Sequence, residues 1–277
     1  CLWFRGMLPA SLCCASPIPL PTEMLGLHLY DPHGLSPNRL VWPLGLYGTD
    51  GAGGEFSSIP EIRRVGCGIV RMSELDGGGG FELIWAANFP LPGAVQTVPP
   101  CELFAIVVLL EHVSHCNVTV CSDSLVNVQI FKKGFVFASA TTNGDLWRRI
   151  ESAISSKNLV FHLHWVQGHL DTVAPVRDFS EIHVAANLAA DIFADKAAFR
   201  CQLAPSESSQ VLFRTKLVKR IQLRLARIII SHVEKCLYEK KAPFPKAKQD
   251  SIACLVDTSA HHIAEFSNSF RCLVCSS

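Results

Sequence analysis

The sequence predicts an α/β protein with one mixed five-stranded sheet and helices on both faces. Three strand-like apolar segments come first and follow one another directly, as in an antiparallel meander. Helical and strand-like segments then alternate to residue 199, which is typical of parallel strands joined by helical crossovers. The 277 residues, of which 49% are hydrophobic, are enough for the core of one large domain or two small ones.

The meander is predicted between residues 44 and 88. Its strands are Leu44–Thr49, Arg64–Met72 and Phe81–Asn88. Asp50 and Gly51 follow the first strand, where glycine permits a tight turn. Asp76 and four glycines join the second strand to the third, a composition typical of a hairpin turn.

The elements after the meander follow from apolar residues at helical or strand spacing. In chain order they are the helix Cys101–His112, the strand Asn117–Cys121, a helix opened by Ser122 as its N-cap, the helix Asn143–Ile154, the strand Leu159–Val166, the loop Gln167–Phe179 and the helix Ser180–Phe199. Pro99 and Pro100 come just before the first helix, where proline is tolerated. We expect this domain to span residues 44–200.

The two ends of the chain differ from this pattern. Residues 1–43 are rich in proline, and we expect a linker or the end of an upstream domain. Residue 1 is cysteine rather than methionine, so we expect a fragment or one piece of a longer polyprotein. Residues 201–277 are predicted to hold a basic amphipathic helix, Gln210–Lys241, and a weakly structured tail.

Charge is distributed unevenly along the chain. Residues 211–248 carry eleven lysines and arginines and two glutamates, a net charge of +9, so the rest of the chain carries −8 of the total of +1. A basic segment on an acidic body favours an anionic partner, with nucleic acid ahead of a membrane surface. The unbroken apolar runs, such as Phe104–Leu110, are far shorter than the ~18 residues that a membrane span needs.

The cysteines and the N-terminal residues indicate the cellular compartment of the protein. The 12 cysteines are scattered among apolar neighbours, and the segment Leu2–Leu12 lacks the pattern of a secretory signal. We therefore expect reduced thiols in an intracellular protein of the nucleus or cytoplasm. Near the end of the sequence, Cys272 and Cys275 could form half of a zinc site, although a single C-x-x-C pair also occurs without metal.

Four carboxylates are the candidate catalytic residues. Asp50 follows the first strand, Glu102 opens the first helix, Asp123 follows the fourth strand and Asp191 lies within the last helix of the domain. Taken singly, each is also explained as a turn, cap or solvated helix residue. If they converge, their mutual repulsion must be relieved by protons or cations. Two Mg²⁺ ions, or Mn²⁺, would balance four such charges and prefer oxygen ligands. Paired ions of this kind stabilise the attacking and leaving oxygens of a phosphodiester displacement.

These residues lie within motifs whose order resembles type 1 ribonuclease H. The motifs are Tyr47-Gly48-Thr49-Asp50-Gly51, Gln96-Thr97 through Glu102-Leu103, Ser122-Asp123-Ser124, Asp145-Leu146-Trp147, Trp165-Val166-Gln167-Gly168-His169, and Asn187-Leu188-Ala189-Ala190-Asp191 with Ala194. The wider setting is similar to ribonuclease H domains in eukaryotic retrotransposon polyproteins. The resemblance implies a ribonuclease H-like fold and two-metal cleavage of the RNA strand of RNA–DNA hybrids.

The resemblance also implies roles for individual residues. Asp50, Glu102, Asp123 and Asp191 match its metal-binding acids. His169 matches the loop histidine that assists proton transfer or product release. Thr97 matches a position that holds a DNA-strand phosphate, and Asn187 one that supports the active-site helix and the bound nucleic acid.

One segment departs from the family. The stretch Val98–Cys101 stands where the family often has asparagine and arginine residues that contact the minor groove, in which the 2′-OH distinguishes RNA from DNA. The basic helix could supply phosphate contacts instead, through Arg214, Lys219, Arg220 and Arg224. Two alternatives stay open: an inactive module that binds nucleic acid or acts as a scaffold in a retroelement polyprotein, and a nuclease or integrase of the same fold that acts on DNA.

Overall fold

A computed structural model of the chain describes residues 26–36, 41–75, 80–114, 117–168, 179–239, 263–266 and 269–272. The strands are β1 His28–Tyr30, β2 Gly45–Ala52, β3 Gly66–Glu74, β4 Phe81–Pro90, β5 Asn117–Ser122, β6 Val160–Trp165, β7 Ile263–Phe266 and β8 Ser269–Cys272. The helices are α1 Val98–His112, α2 Leu125–Lys132, α3 Phe135–Ala138, α4 Gly144–Lys157, α5 Glu181–Arg200 and α6 Pro205–Glu239.

The main sheet is mixed, with the strand order β1-β4-β3-β2-β5-β6. The pairs β1–β4, β4–β3 and β3–β2 are antiparallel, whereas the pairs β2–β5 and β5–β6 are parallel. The predicted α/β class is therefore confirmed, but the sheet has six strands rather than five. The added strand, β1, lies in the segment predicted to be a linker and pairs with β4 at the sheet edge.

The two faces of the sheet are packed with side chains of very different size. On one face α1 packs against large residues that include Tyr47, Trp85 and Phe89, all fully buried. Trp42, from the predicted linker, joins this core and stacks on His112 with ring centroids 4.4 Å apart. Each such ring removes a large apolar area from water, which stabilises the core.

On the other face α5 approaches the strands at backbone distance. A Cβ built on Gly48, Gly66 or Gly68 would collide with backbone atoms of α5. The helix presents alanine at every fourth position towards these glycines, namely Ala186, Ala190, Ala194 and Ala198. Because side chains four residues apart share a helix face, small residues on both elements let the two backbones touch.

Several element boundaries differ from the sequence prediction. The strand β2 continues to pair with β3 as far as Ala52, so Asp50 lies inside the strand rather than at its end. The prediction that Ser122 is a helix N-cap is wrong, because Ser122 is the last residue of β5 and α2 begins at Leu125. The Ser122 hydroxyl instead accepts a hydrogen bond from the Ser124 N–H at 3.2 Å. Val98, Pro99 and Pro100 form the first turn of α1.

The chain divides into two compact units. One spans residues 11–215 and contains the mixed sheet with α1 to α5. The second includes the residues from 216 onward, among which the described ones form most of α6 and the antiparallel hairpin β7–β8. The domain boundaries at residues 43 and 200 stay predictions. Within the described ranges, α-helices of sufficient length and apolarity to cross a membrane are absent.

Candidate metal centre

Three carboxylates from separate elements meet at the carboxyl end of β2. Asp50 comes from β2, Glu102 from the first turns of α1, and Asp123 from the residue after β5. Each offers one oxygen, and the three oxygens lie within 4.8 Å of one another. Two ligands of one Mg²⁺ ion lie about 3–4 Å apart, given its Mg–O distance of about 2.0–2.1 Å, so small side-chain adjustments would let these oxygens share an ion.

Asp50 is the most buried member of this triad, with 6% of its surface exposed. Its Oδ1 accepts a hydrogen bond from the Gly51 N–H at 2.7 Å. Burial is the main cause that raises the pKa of Asp50 to about 9, followed by the negative charge of Asp123, and the Gly51 hydrogen bond offsets part of the rise. Without a cation, this carboxyl therefore holds a proton at neutral pH.

Glu102 shares this environment to a smaller degree. Burial raises its pKa to about 7, a hydrogen bond with the Ser124 side chain opposes the rise, and the charge of Asp123 adds to it. The Asn127 side-chain N–H₂ donates to Glu102 Oε2 at 3.4 Å. Ser124 is the N-cap of α2 and belongs to the motif Ser122-Asp123-Ser124, whereas Asn127, in the first turn of α2, is not among the predicted site residues.

Asp191 lies outside the triad, but its charge contributes to the raised pKa of Asp50. It follows Ala190, whose carbonyl oxygen meets the sheet at Gly68. Gly68 in turn faces Asp50 across the β2–β3 pair. The close approach of α5 therefore brings the fourth acid towards the triad.

Asn187 lies on the same helix as Asp191, one turn earlier, and is 3% exposed. Its backbone nitrogen lies next to Gly48. Its Oδ1 has no hydrogen-bond partner among the described residues. A buried amide oxygen of this kind is costly unless something pairs with it, so Asn187 is available to a group that binds here.

Gly168, the residue before the predicted catalytic histidine, lies beside the triad. Gly168 lies against Asp123, since a Cβ on Gly168 would come within 2.5 Å of Asp123 Oδ2. The neighbouring Trp165 donates its Nε1–H to the Asp123 carbonyl oxygen at 3.0 Å. His169 itself lies outside the described residues. The role of Gly168 was missed because a glycine beside a strand is usually only a turn residue.

The predicted nucleic-acid contacts are distributed over three elements. Thr97 is the N-cap position of α1 and is half-buried. Gln96 fixes this segment, because its Nε2 donates to the carbonyl oxygens of Leu91 and Gly93 at 2.8 Å. On α6, Arg214 is half-buried, and the others, which belong to the second unit, are exposed: Lys219, Arg220 and Arg224.

A cavity of about 450 Å³ adjoins Glu102. Its lining includes the apolar residues Pro99 and Trp147 and the polar residues Ser124, Asn127, Thr142 and Asn143. The altered segment Val98–Cys101 therefore contributes an apolar wall at Pro99. This cavity offers amide and hydroxyl groups, rather than charges, beside the carboxylates.

Comparison with known proteins gives similarities at the level of solved structures. Neither a protein-family model nor a curated protein matches the chain. The chain is similar to a foamy viral protease–reverse transcriptase solved in complex with an RNA/DNA hybrid, at 15% identity over 56% of this chain and 20% of that one, with a TM-score of 0.41. It thus spans only a fifth of that protein.

Two smaller structures are similar over nearly their whole length. One is the ribonuclease H domain of prototype foamy virus, at 17% identity over 56% of this chain and 94% of that one, with a TM-score of 0.43. The other is ribonuclease H1 of the archaeon Halobacterium salinarum, at 18% identity over 56% of this chain and 98% of that one, with a TM-score of 0.37.

Proposed function

We propose that this chain is a Mg²⁺-dependent endonuclease that cleaves the RNA strand of RNA–DNA hybrids. The observation that carries the proposal is the triad of Asp50, Glu102 and Asp123, with three carboxylate oxygens within 4.8 Å of one another. The proposal is also supported by the ordered motifs in which these residues lie. A retroelement polyprotein as the source is part of the proposal and rests on the sequence resemblance alone.

The donor set suits a hard divalent cation. The triad offers only oxygen atoms, which favours Mg²⁺ or Mn²⁺ over zinc. When bound, such ions stabilise the charges that develop on the attacking and leaving oxygens of a phosphodiester. Asp50, Glu102 and Asp123 would hold the ions, and Asp191 would add the fourth negative charge.

The other residues act around this centre. We assign to His169 the transfer of a proton or the release of product, and this assignment is supported by the contact of the preceding residue, Gly168, with the Asp123 carboxylate. Asn187 and Thr97 would position the hybrid or the elements that bind it. Arg214, Lys219, Arg220 and Arg224 would contact phosphates, as a basic helix can.

One observation favours a second candidate, a module that binds nucleic acid without cleaving it. The first turn of α1 consists of Val98, Pro99 and Pro100, which offer no side-chain amides to a minor groove. Against this candidate, none of the four acidic positions is lost. A scaffold has no requirement for three carboxylates clustered around the buried Asp50, because their repulsion costs stability.

An end-labelled RNA–DNA hybrid in Mg²⁺ tests the two candidates. The full chain should cut only the RNA strand, and Asp123→Asn should reduce the rate by at least 100-fold. Asp145→Asn, which changes an exposed aspartate at the start of α4, serves as the matched control and should cut normally. Single-stranded RNA and duplex DNA are the substrate controls.

Each outcome has a distinct meaning. Hybrid binding without cleavage would overturn the enzyme proposal and support the binding module. Cleavage of duplex DNA would identify a nuclease of another specificity. Equal rates for Asp123→Asn and Asp145→Asn would show that the triad is not the catalytic centre.

A further inference from the structure

A second cluster of potential metal ligands lies on the face of the sheet that α5 covers. His162 and His164 alternate on β6, so both side chains point to the same face. His164 pairs with Cys121, and Cys121 pairs with Gly48, the residue on which α5 rests at Ala186. The third histidine of the cluster, His183, is the third residue of α5.

The three rings follow one another closely. The ring centroids of His164 and His183 are 5.4 Å apart, and those of His162 and His164 are 6.4 Å apart. Both strand histidines are exposed and His183 is half-buried. Within the described part of the chain, hydrogen bonds and ion pairs to these three side chains are absent, so the ring nitrogens are not committed to other partners.

We propose that His162, His164 and His183 bind a divalent transition metal ion of the zinc class. Imidazole nitrogen is a preferred ligand for such ions, in contrast to the all-oxygen triad around Asp50. With a Zn–N distance of about 2.0–2.1 Å, two imidazoles on one tetrahedral ion have ring centroids about 5 Å apart. The His164–His183 pair matches this separation. The ring nitrogens of all three histidines do not yet lie within 4.8 Å of one another, so binding requires side-chain rotation, which is open to the exposed His162 and His164.

Two further features suit this site. Three histidines leave the fourth tetrahedral position to water, and His162 and His164 are open to solvent. Burial and the adjacent His164 lower the pKa of His183, which favours the neutral imidazole that a metal ion requires. The proposed site is inferred from the distances between the three rings, and the lowered pKa of His183 is consistent with it.

The bound ion would join two elements that are adjacent in space and successive in the chain. It would tie the end of β6 to the first turn of α5, two helical turns before Asp191. Because an ion that binds only the folded state stabilises it by mass action, zinc should raise the thermal stability of the protein. This site is independent of the proposed nuclease centre and would exist in an inactive module as well.

Calorimetric titration of the full chain with Zn²⁺, in excess Mg²⁺ to occupy the carboxylate triad, tests this proposal. Wild type should bind one more Zn²⁺ equivalent than His164→Gln or His183→Gln, or bind it at least tenfold more tightly. His28→Gln, which removes an exposed histidine from the other edge strand, β1, is the matched control and should keep the equivalent. Comparing variants in this way subtracts any zinc bound by cysteines.

A second measurement guards against altered folding. Zinc should raise the Tm of wild type and His28→Gln, and this rise should be smaller in both cluster variants, whose Tm without zinc should match wild type. Cobalt(II) in place of zinc should give visible absorption that weakens in the cluster variants. Equal zinc stoichiometry and equal Tm shifts in all four proteins would overturn the proposal.

Discussion

Asp50 lies directly opposite Gly68 in the β2–β3 pair, and the Ala190 carbonyl of α5 fills the place where a side chain at position 68 would be. The absence of a side chain at Gly68 therefore determines how closely α5, with Asp191, approaches Asp50. This relationship links a packing feature to the electrostatics of the candidate metal centre.

Gly68→Ala should destabilise the protein and weaken Mg²⁺ binding together. Inserting a methyl group into a well-packed contact typically costs about 1–3 kcal/mol, and here the contact is with the backbone of α5. Urea unfolding and Mg²⁺ titration measure the two effects. Gly93→Ala is the comparison, because Gly93 has open space around it but a φ of 87°, and its variant should lose only stability. Normal Mg²⁺ affinity in Gly68→Ala would contradict the coupling.

Asp50→Asn should raise the Tm of the metal-free protein at pH 8. The pKa of Asp50 in the folded state is about 9, against an ordinary value of 3.8. A carboxyl with a raised folded-state pKa contributes stability at low pH, and this contribution is lost as the pH rises from about 4 to about 9. Asparagine resembles the protonated form at every pH, so we expect a gain of roughly 5 °C, about 1–2 kcal/mol for a protein of this size.

The same variant should lose the Tm increase that Mg²⁺ gives to the wild-type protein. Scanning calorimetry in chelator and in Mg²⁺, with Asp145→Asn as the control, measures both effects. A lower Tm for Asp50→Asn in chelator would show that the buried charge is compensated within the folded protein.

Binding of Mg²⁺ should release protons and become stronger as the pH rises. The raised pKa values of Asp50 and Glu102, about 9 and about 7, mean that the metal-free triad still holds about one proton at pH 8, which the ion must displace. Affinity should therefore increase about a hundredfold or more between pH 6 and pH 8, because at least one proton is displaced throughout this range. Calorimetry in buffers of different ionisation heat counts the protons directly. An affinity that does not change with pH would show that the ion binds elsewhere.

Replacing Lys219, Arg220 and Arg224 with glutamine should weaken hybrid binding and reduce its salt dependence. Each neutralised phosphate adds about 0.7–0.9 to the slope of log affinity against log salt, so three lost contacts should lower the slope by about two to three. Filter binding at several salt concentrations measures this slope. Arg148→Gln combined with Lys196→Gln removes two exposed cations from the other unit and serves as the control. An unchanged slope would mean that α6 does not contact the hybrid.

Periodicity was enough to predict the α/β class because the strands and helices of the α1 face carry long apolar side chains at regular spacing. The edge strand β1 was missed because its three residues are too few to show a period and pair only with β4. The prediction placed the helix N-cap at Ser122, two residues before the observed Ser124, and ended the first strand at Thr49, three residues before Ala52. Such ends depend on how far strand pairing continues. Such pairing cannot be judged from one strand alone.

The candidate site shows a similar limit. The motifs singled out the four acids, but the sequence could not show that three of them share one group of oxygens while Asp191 lies outside it. That difference depends on the backbone contact between α5 and the sheet. The sequence does contain a pattern that indicates this backbone contact, namely glycines at positions 48, 66 and 68 and alanines four residues apart on α5. Roles in hybrid binding depend on a partner and stay predictions.

The two faces of the sheet should differ in the amino-acid substitutions that they tolerate. Large side chains on the α1 face can exchange volume with one another, so many combinations preserve the width of that layer. Gly48, Gly66 and Gly68 on the α5 face have no side-chain volume to exchange, because the main chain of α5 rests on the main chain of the sheet at these positions. A saturation-mutagenesis map should therefore show broad apolar tolerance at positions such as Ile69 and Leu110, and almost none at Gly48, Gly68 and Ala190.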